Sequence, residues 1–589
     1  MQRSLILLAV SIFSPSVAAQ FDDAWIEFVR DDSMISAAAP ISSATLETDL
    51  AWGDLDDDGD TDLVIVRSRP YILVGKRTNM LLMNEAGVLT DRTSTLAASS
   101  DVVGDQGFLT PTQDRDVVIA DVDGDGRPDV VTAADLWQPG DTKAITHPRV
   151  YHNQGDGGGG SWLGLKHEDF RVPQIMVQGA PAHPRFMAVT AGDVDNDGDI
   201  DLYFGDQDFV AMSVFEPAGE DTHDRLLIND GSGVFSDGTF QAFAFQQVNS
   251  LFHNAVAFDD FNQDGLVDLL QEDGYFDPTA IIYNQLAMPG VFVDGVDEIY
   301  NGSGYFASTG DLNSDGRPDI VISDNGSDKF MINTGNGTGG EAEWAAPSTF
   351  DFLSGGDGGI GANNLVADLN GDGWNDVLIA DMDPEIPGTN RRLQIYHNRG
   401  GTPGGTDIVL REERESTLNS DWIGVKGMNT DALRATHDVA VFDVDGDGRT
   451  ELIVSQLAGT FVWRQLSVWT DLGMGLAGAG GTPSLVGSGT LAAGSSWGLS
   501  VHGAAASTPV AFIVGLAQLS LPFKGGVLVP SPDIILTGFT SGPNGWLAVG
   551  DTWPAGIPAG VSVYQQAWIT DPSGPSGFAA SNGVASLTP

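Results

Sequence analysis

The chain has no cysteine among its 589 residues. A disulfide framework, a thiolate metal site and a cysteine nucleophile are all excluded by that. Basic residues are scarce: 27 Lys and Arg stand against 81 Asp and Glu, for a net charge of −54. Phosphate binding needs a basic surface, so nucleic acid is not an expected partner. Beyond the N-terminus no apolar run is long enough to predict a membrane-crossing helix. HExxH and P-loop patterns are missing too, which removes the usual zinc-hydrolase and nucleotide signatures. Disorder is not expected either. The residues are 41% hydrophobic and include 13 Trp, enough to bury a large core.

The first residues, MQRSLILLAVSIFSPSVAAQ, combine a basic start, a short apolar stretch and small residues near Ala19. They read as a secretory signal peptide over 1–19. The mature protein is expected to be secreted, or to sit at the cell envelope. Export permits disulfides, and this chain has none, so something else must hold it together.

What the chain does have is Gly, 75 residues, about twice the usual share, and an acidic repeat. The pattern D-x-[DN]-x-D-G-x-x-[DE] occurs seven times, starting at Asp54, Asp121, Asp193, Asp260, Asp311, Asp368 and Asp443. Positions 1, 3 and 5 always carry a side-chain oxygen, position 6 is always Gly, and position 9 is always acidic. A hard cation such as Ca2+ takes six to eight oxygens, and alternating carboxylates on a tight loop converge on one point. Position 7 is expected to offer only its backbone carbonyl, and its side chain varies accordingly.

The predicted metal ligands are therefore Asp54, Asp56, Asp58, Asp60 and Asp62 in the first loop, and Asp121, Asp123, Asp125, Arg127 and Asp129 in the second. The third supplies Asp193, Asp195, Asp197, Asp199 and Asp201; the fourth Asp260, Asn262, Asp264, Leu266 and Asp268. The fifth supplies Asp311, Asn313, Asp315, Arg317 and Asp319; the sixth Asp368, Asn370, Asp372, Trp374 and Asp376. The seventh ends the series with Asp443, Asp445, Asp447, Arg449 and Glu451. About seven Ca2+ ions are expected. Two charges 4 Å apart repel by about 4 kcal/mol at an effective dielectric of 20, so such loops without counter-ions would be costly.

An EF-hand would need an acid at position 12 and flanking helices. Position 12 is Ile65, Thr132, Phe204, Gln271, Ile322, Ile379 and Val454. Segments such as DLVIV (62–66) follow the loops, and DVVIA (116–120) precedes one. Each loop is thus expected to join two strands. A further strand ending in Asn and a Gly-rich turn follows, as in RVYHNQGDG (149–157) and RLLINDGSG (225–233). About four strands per unit of 51–75 residues predicts a β-propeller.

These hairpin loops, each followed by a strand, an Asn and a Gly turn, resemble FG-GAP/VCBS repeats over about residues 40–467. The resemblance implies an integrin-α-like calcium-binding propeller, and the family includes adhesins, lectin-like modules and some enzymes. The expected fold is all-β: a seven-bladed β-propeller over 20–467, followed by a small β-sandwich over 468–589. The last repeat lacks an outer strand, and residues 23–31 are predicted to supply it and close the ring.

From residue 468 on there are only four acids and one base. Short apolar runs at 509–517, 525–530, 533–539, 545–550 and 562–569 alternate with turns, as in a sandwich. This part resembles a C-terminal domain that ends many secreted bacterial proteins. A carbohydrate-binding role for it would rest on Trp497, Trp546 and Trp553; the competing reading places them in its core.

Polar residues sit five to seven positions before several loops: Asp49, Asp116, His253, Asn254, Asn363, His437 and Asp438. One reading is strand-end polarity and capping; the other is a ligand surface at the channel mouth opposite the cation loops. The expected function is that of a secreted, calcium-stabilised protein that binds a glycan or protein ligand, or acts in adhesion. The alternative is a polysaccharide-degrading enzyme such as a lyase, with residues such as His183 and Arg185.

Overall fold

The computed structural model describes residues 25–36, 47–68, 75–135, 140–206, 223–292, 296–350, 360–382, 392–412, 425–426, 428, 433–466 and 468–588. Within these spans it leaves out 159, 178, 183, 245–246, 249–252, 275–277, 325, 457–458, 479–480, 490, 492, 494–495 and 543–544. The signal-peptide segment and His183 lie outside the described residues.

The described chain is all-β, with only short helical turns. Each acidic loop joins two antiparallel strands. In the first sheet Glu47–Gly53 leads through the loop into Asp62–Ser68, and then come Met80–Asn84 and Leu89–Asp91. The same order recurs from Asp114–Ala120, Phe186–Gly192, His253–Asp259, Gly304–Gly310, Ile360–Ala367 and Thr436–Phe442, the first strands of six further sheets. The second strands are apolar on both faces; Asp62–Ser68 is buried at six of its seven positions. Near-continuous Val, Ile and Leu is what a strand covered on both sides requires.

The covering comes from the neighbouring sheets. Seven apolar cores each lie between one sheet and the next. Leu55, Val64 and Leu81 of the first sheet pack with Val130 and Tyr151 of the second. The seventh sheet's Phe442, Val444 and Ile453 pack with Leu50, Ile65 and Leu82 of the first. The first strands also lie side by side in sequence order, and Thr436–Phe442 returns to lie against Glu47–Gly53.

The seventh sheet is completed from the far end of the chain. Ile26–Arg30 pairs antiparallel with Gly459–Leu466, in the register Glu27↔Leu466 to Arg30↔Trp463. Phe28 is buried there, in the core between the sixth and seventh sheets.

After residue 468 a five-stranded and a three-stranded sheet enclose one core. Five strands of this part fall on the runs expected from sequence: Pro509–Gly515, Ile534–Thr540, Leu547–Thr552 and Ser562–Thr570 in those two sheets, and Gly526–Pro530 in a separate two-stranded sheet. Trp497 and Trp553 are buried in this core, edge to face at 5.6 Å between ring centroids. Neither is available to stack on a sugar, so two of the three residues behind the carbohydrate reading belong to the core.

Candidate metal centre

The seven acidic loops share one geometry. The position 1 carboxylate accepts the N–H groups of positions 5 and 6, as when Asp54 accepts from Asp58 at 3.1 Å and Gly59 at 3.0 Å. Position 5 accepts the N–H of position 7, as in Asp58 to Asp60 at 2.9 Å. The same bonds recur in the other six loops. Position 6 is Gly because its φ lies between 80° and 98° in every loop, a region costly for any residue with a Cβ.

Position 3 behaves differently. Asp56 Oδ1, Asp123 Oδ1, Asp195 Oδ1 and Asn313 Oδ1 are buried and have no hydrogen-bond partner. An orphaned buried oxygen is costly, and here the same atom is orphaned at the same position of four loops. In the first three loops the acids at positions 1, 3 and 5 bring one oxygen each to within 4.8 Å of one another; Asp443, Asp445 and Glu451 do so in the seventh. A hard cation would satisfy these oxygens, so the residues present fit such an ion.

Position 9 is an anchor as well as a predicted ligand. Asp62 accepts the N–H of Leu55 at 3.0 Å with one oxygen and that of Asn84 at 2.8 Å with the other. Five of the other six loops repeat both contacts. In the fourth, Asp268 is fully buried and its Oδ2 has no hydrogen-bond partner. Burial pushes the carboxyls of Asp62, Asp201, Asp268, Asp319 and Glu451 up to about 7. A bound cation would favour the charged form instead.

The position 7 side chains differ in their surroundings. Trp374 and Leu266 are buried, while Arg127 and Arg449 pair with Asp125 and Asp447.

The Asn after the third strand is legible in the sequence; its partner is not. Its side-chain amide donates to the position 2 carbonyl of the preceding sheet's loop. Asn153 donates to Leu55, Asn229 to Val122, Asn284 to Val194, Asn333 to Phe261 and Asn398 to Leu312, at 2.6–2.8 Å. Gln465 takes the place of Asn in the seventh sheet and donates to Leu369 at 2.8 Å. Asn84 of the first sheet donates to Val444 of the seventh at 2.9 Å. Every loop is thus held by the next sheet, and the first sheet holds the seventh loop. The available signal was position 2 itself, always apolar (Leu55, Val122, Val194, Phe261, Leu312, Leu369 and Val444) and always buried.

At the other end of the first strands the polar residues are mostly engaged inside the protein. Asp438 accepts the N–H of Leu50 at 2.8 Å, Asp49 that of Val117 at 3.2 Å, and Asp116 that of Val189 at 2.7 Å. Each acid latches the next first strand. Asn363 donates to Asp49 at 2.5 Å, Asn254 donates to the Tyr305 carbonyl at 3.2 Å, and His253 contacts Asp224. A register shift falls at this point in six of the seven first strands. The strand-end reading therefore accounts for Asp49, Asp116 and Asp438 without a ligand. For the lyase alternative, Arg185 leans on Asp135.

These three buried acids carry a pH signature. Burial raises all three, their mutual repulsion drives Asp49 well up, and Asp438 reaches about 7. Folding therefore favours their protonated forms. For Asp438 that contribution is complete below about pH 4 and is lost as pH rises through about 7. Asp438→Asn keeps an acceptor for Leu50 and removes one charge. The variant is expected to gain stability relative to wild type between pH 5 and pH 8, by urea denaturation at fixed Ca2+. A constant difference would place Asp438 outside the charge cluster.

One comparison with known proteins bears directly on the repeat. A family model for the FG-GAP-like repeat matches residues 121–204, 311–379 and 368–454. Integrin alpha-5 of Xenopus laevis is 25% identical over 257 residues, covering 38% of this chain. The chain spans only 23% of that relative's length. Among solved structures, a chain of the Photorhabdus luminescens Tc holotoxin pore aligns over 94% of this chain and 25% of its own, with 12% identity and a TM-score of 0.33. Among the described residues, no helix is long and apolar enough to cross a membrane. With the loop pattern, the recurring sheet and the match of the repeat model all in place, the chain carries FG-GAP-like repeats.

Proposed function

We propose that this is a secreted, calcium-loaded β-propeller protein that works in adhesion, by binding a protein or glycan ligand outside the cell. In this reading the seven sheets are the blades of one closed ring, residues 20–467 form it, and residues 468–589 form a β-sandwich beside it. Ca2+ occupies the loops and does the work that disulfides do in other exported proteins.

The observation that carries the reading is the cyclic clasp. Seven side-chain amides each grip the preceding sheet's cation loop, and the series returns from Asn84 to Val444. Such a ring has no free sheet edge at its closure and presents two broad faces. Loss of Ca2+ would loosen the loop carbonyls that the clasps hold. The similarity to integrin alpha-5 supports a protein ligand and an adhesive role. Cleavage near Ala19 would deliver the mature chain outside the cell.

The test is adhesion itself. Beads coated with the mature protein are expected to bind immobilised extracellular proteins or glycans in millimolar Ca2+ and to release in EGTA. Equal binding in both, or none in either, would remove calcium-dependent adhesion from the reading.

A further inference from the structure

The seven loops are not equivalent in what leans on them. The residue just before the clasp amide differs from sheet to sheet. It is Met83, Ile228, Tyr283, Ile332 and Arg464 in five sheets, but His152 in the second and His397 in the sixth. His152 Nδ1 lies 3.0 Å from Asp123 Oδ2 and 3.4 Å from Asp129 Oδ1. These three residues bring one ligand atom each to within 4.8 Å of one another. His152 Nδ1 and Asp123 Oδ1 are both buried and without a hydrogen-bond partner.

We propose that His152, Asp123 and Asp129 form a mixed nitrogen–oxygen site that takes a borderline transition cation such as Zn2+ in preference to Ca2+, and that His397 makes a weaker site of the same kind at the sixth loop.

Three observations carry this. The first is donor chemistry. Ca2+ takes oxygen ligands, whereas imidazole nitrogen suits Zn2+ and its neighbours. The second is spacing. Ligands about 2.0 Å from a tetrahedral zinc stand about 3.3 Å apart, and the two His152 separations of 3.0 and 3.4 Å bracket that value. The third is that a histidine recurs beside the sixth loop, there through its other ring nitrogen. His397 Nε2 is 3.5 Å from Asn370 Nδ2 and 3.9 Å from Asp372 Oδ2, and its ring is stacked on Trp25 at 4.1 Å. The longer distances and the amide at position 3 make the sixth site the weaker one.

Asp123 has another neighbour. Arg171 donates to Asp123 Oδ2 at 3.1 Å, to Glu168 at 2.8 Å and to the Ser232 carbonyl at 2.8 Å. Glu168 offsets its charge, so the ion would share Asp123 Oδ2 with Arg171, while Asp123 Oδ1 has no hydrogen-bond partner.

The inference rests on the loops being cation sites, and the experiment separates the two claims. The mature protein is held in millimolar Ca2+ and titrated with Co2+, whose visible absorption reports nitrogen–oxygen ligation, and the Co2+ is then displaced with Zn2+. Two equivalents are expected to bind above the Ca2+ background, the tighter one at least tenfold weaker in His152→Gln and the other at least tenfold weaker in His397→Gln. Equal Co2+ uptake by wild type and the double variant, or no uptake, would overturn the proposal. If a variant misfolds, wild-type crystals soaked in Zn2+ decide. A zinc-edge anomalous peak beside His152 Nδ1 supports the site, and none there refutes it. Calorimetry with Ca2+ alone reads the loops separately: failure to bind Ca2+ there refutes the loop reading whatever Co2+ does.

Discussion

Stripping Ca2+ with EGTA is expected to lower the midpoint of thermal unfolding by about 20 °C. A ligand at a hundredfold excess over its Kd adds about 2.7 kcal/mol per site, and there are seven loops. Unfolding about 440 residues of repeats carries an entropy of about 0.9 kcal/mol/K, so seven filled sites move the midpoint by roughly 20 °C. The effect is expected to be large because the metal-free loops hold crowded, buried oxygens with no donor, at Asp56, Asp123, Asp195 and Asn313. It is also expected to be cooperative, since each loop's position 2 carbonyl is held by the next sheet. Differential scanning calorimetry in 2 mM Ca2+ and then in EGTA reads the shift. A change of under about 3 °C would mean that the acidic loops are ordinary turns and that the seven sheets stand on their apolar cores alone.

The second large effect is expected at a single clasp. Asn229→Ala should cost about 3–5 kcal/mol, because buried groups left without partners cost about 1–3 kcal/mol each. The side chain serves four of them. It donates to the Val122 carbonyl at 2.6 Å and the Ile200 carbonyl at 2.8 Å, and accepts from Gly231 at 3.1 Å and Gly233 at 3.0 Å. The first of these bonds joins two sheets. The variant is therefore expected to weaken Ca2+ binding at the second loop, although it changes no predicted ligand. Urea denaturation gives the stability and calorimetry the affinity. A loss below 1 kcal/mol would mean that the apolar core between the second and third sheets docks them unaided.

Most of the local pattern was legible in the sequence. The loops could be read because every element of their geometry lies within nine residues: oxygens at 1, 3 and 5, a left-handed Gly at 6, an acid at 9. The strands on either side could be read because they are short, apolar and set off by turns. The C-terminal strands were legible only in part. Ser484–Ser488, Ser496–His502 and Phe578–Leu587 are rich in Ser, Gly and Ala and carry no strong apolar run.

The clasp was visible as a recurring Asn and invisible as a bond. Asn153 and Leu55 are 98 residues apart, and Asn84 and Val444 are 360 apart. The polar residues at the starts of the first strands were placed correctly along the chain. Their fate was not readable, because a carboxylate that latches the next strand and one that faces a ligand look the same in sequence.

By itself, then, the sequence determined the all-β class, the number of loops and the oxygen-rich chemistry of each. All of these follow from residue type and spacing over a few positions. The tertiary structure decided which sheet grips which loop and that Ile26–Arg30 lies beside Gly459–Leu466. It also decided that Trp497 and Trp553 are core and that His152 comes within 3.0 Å of a loop carboxylate 29 residues away in the chain. These are contacts between distant segments, set by how whole sheets bury their apolar faces against one another, and no local spacing encodes them.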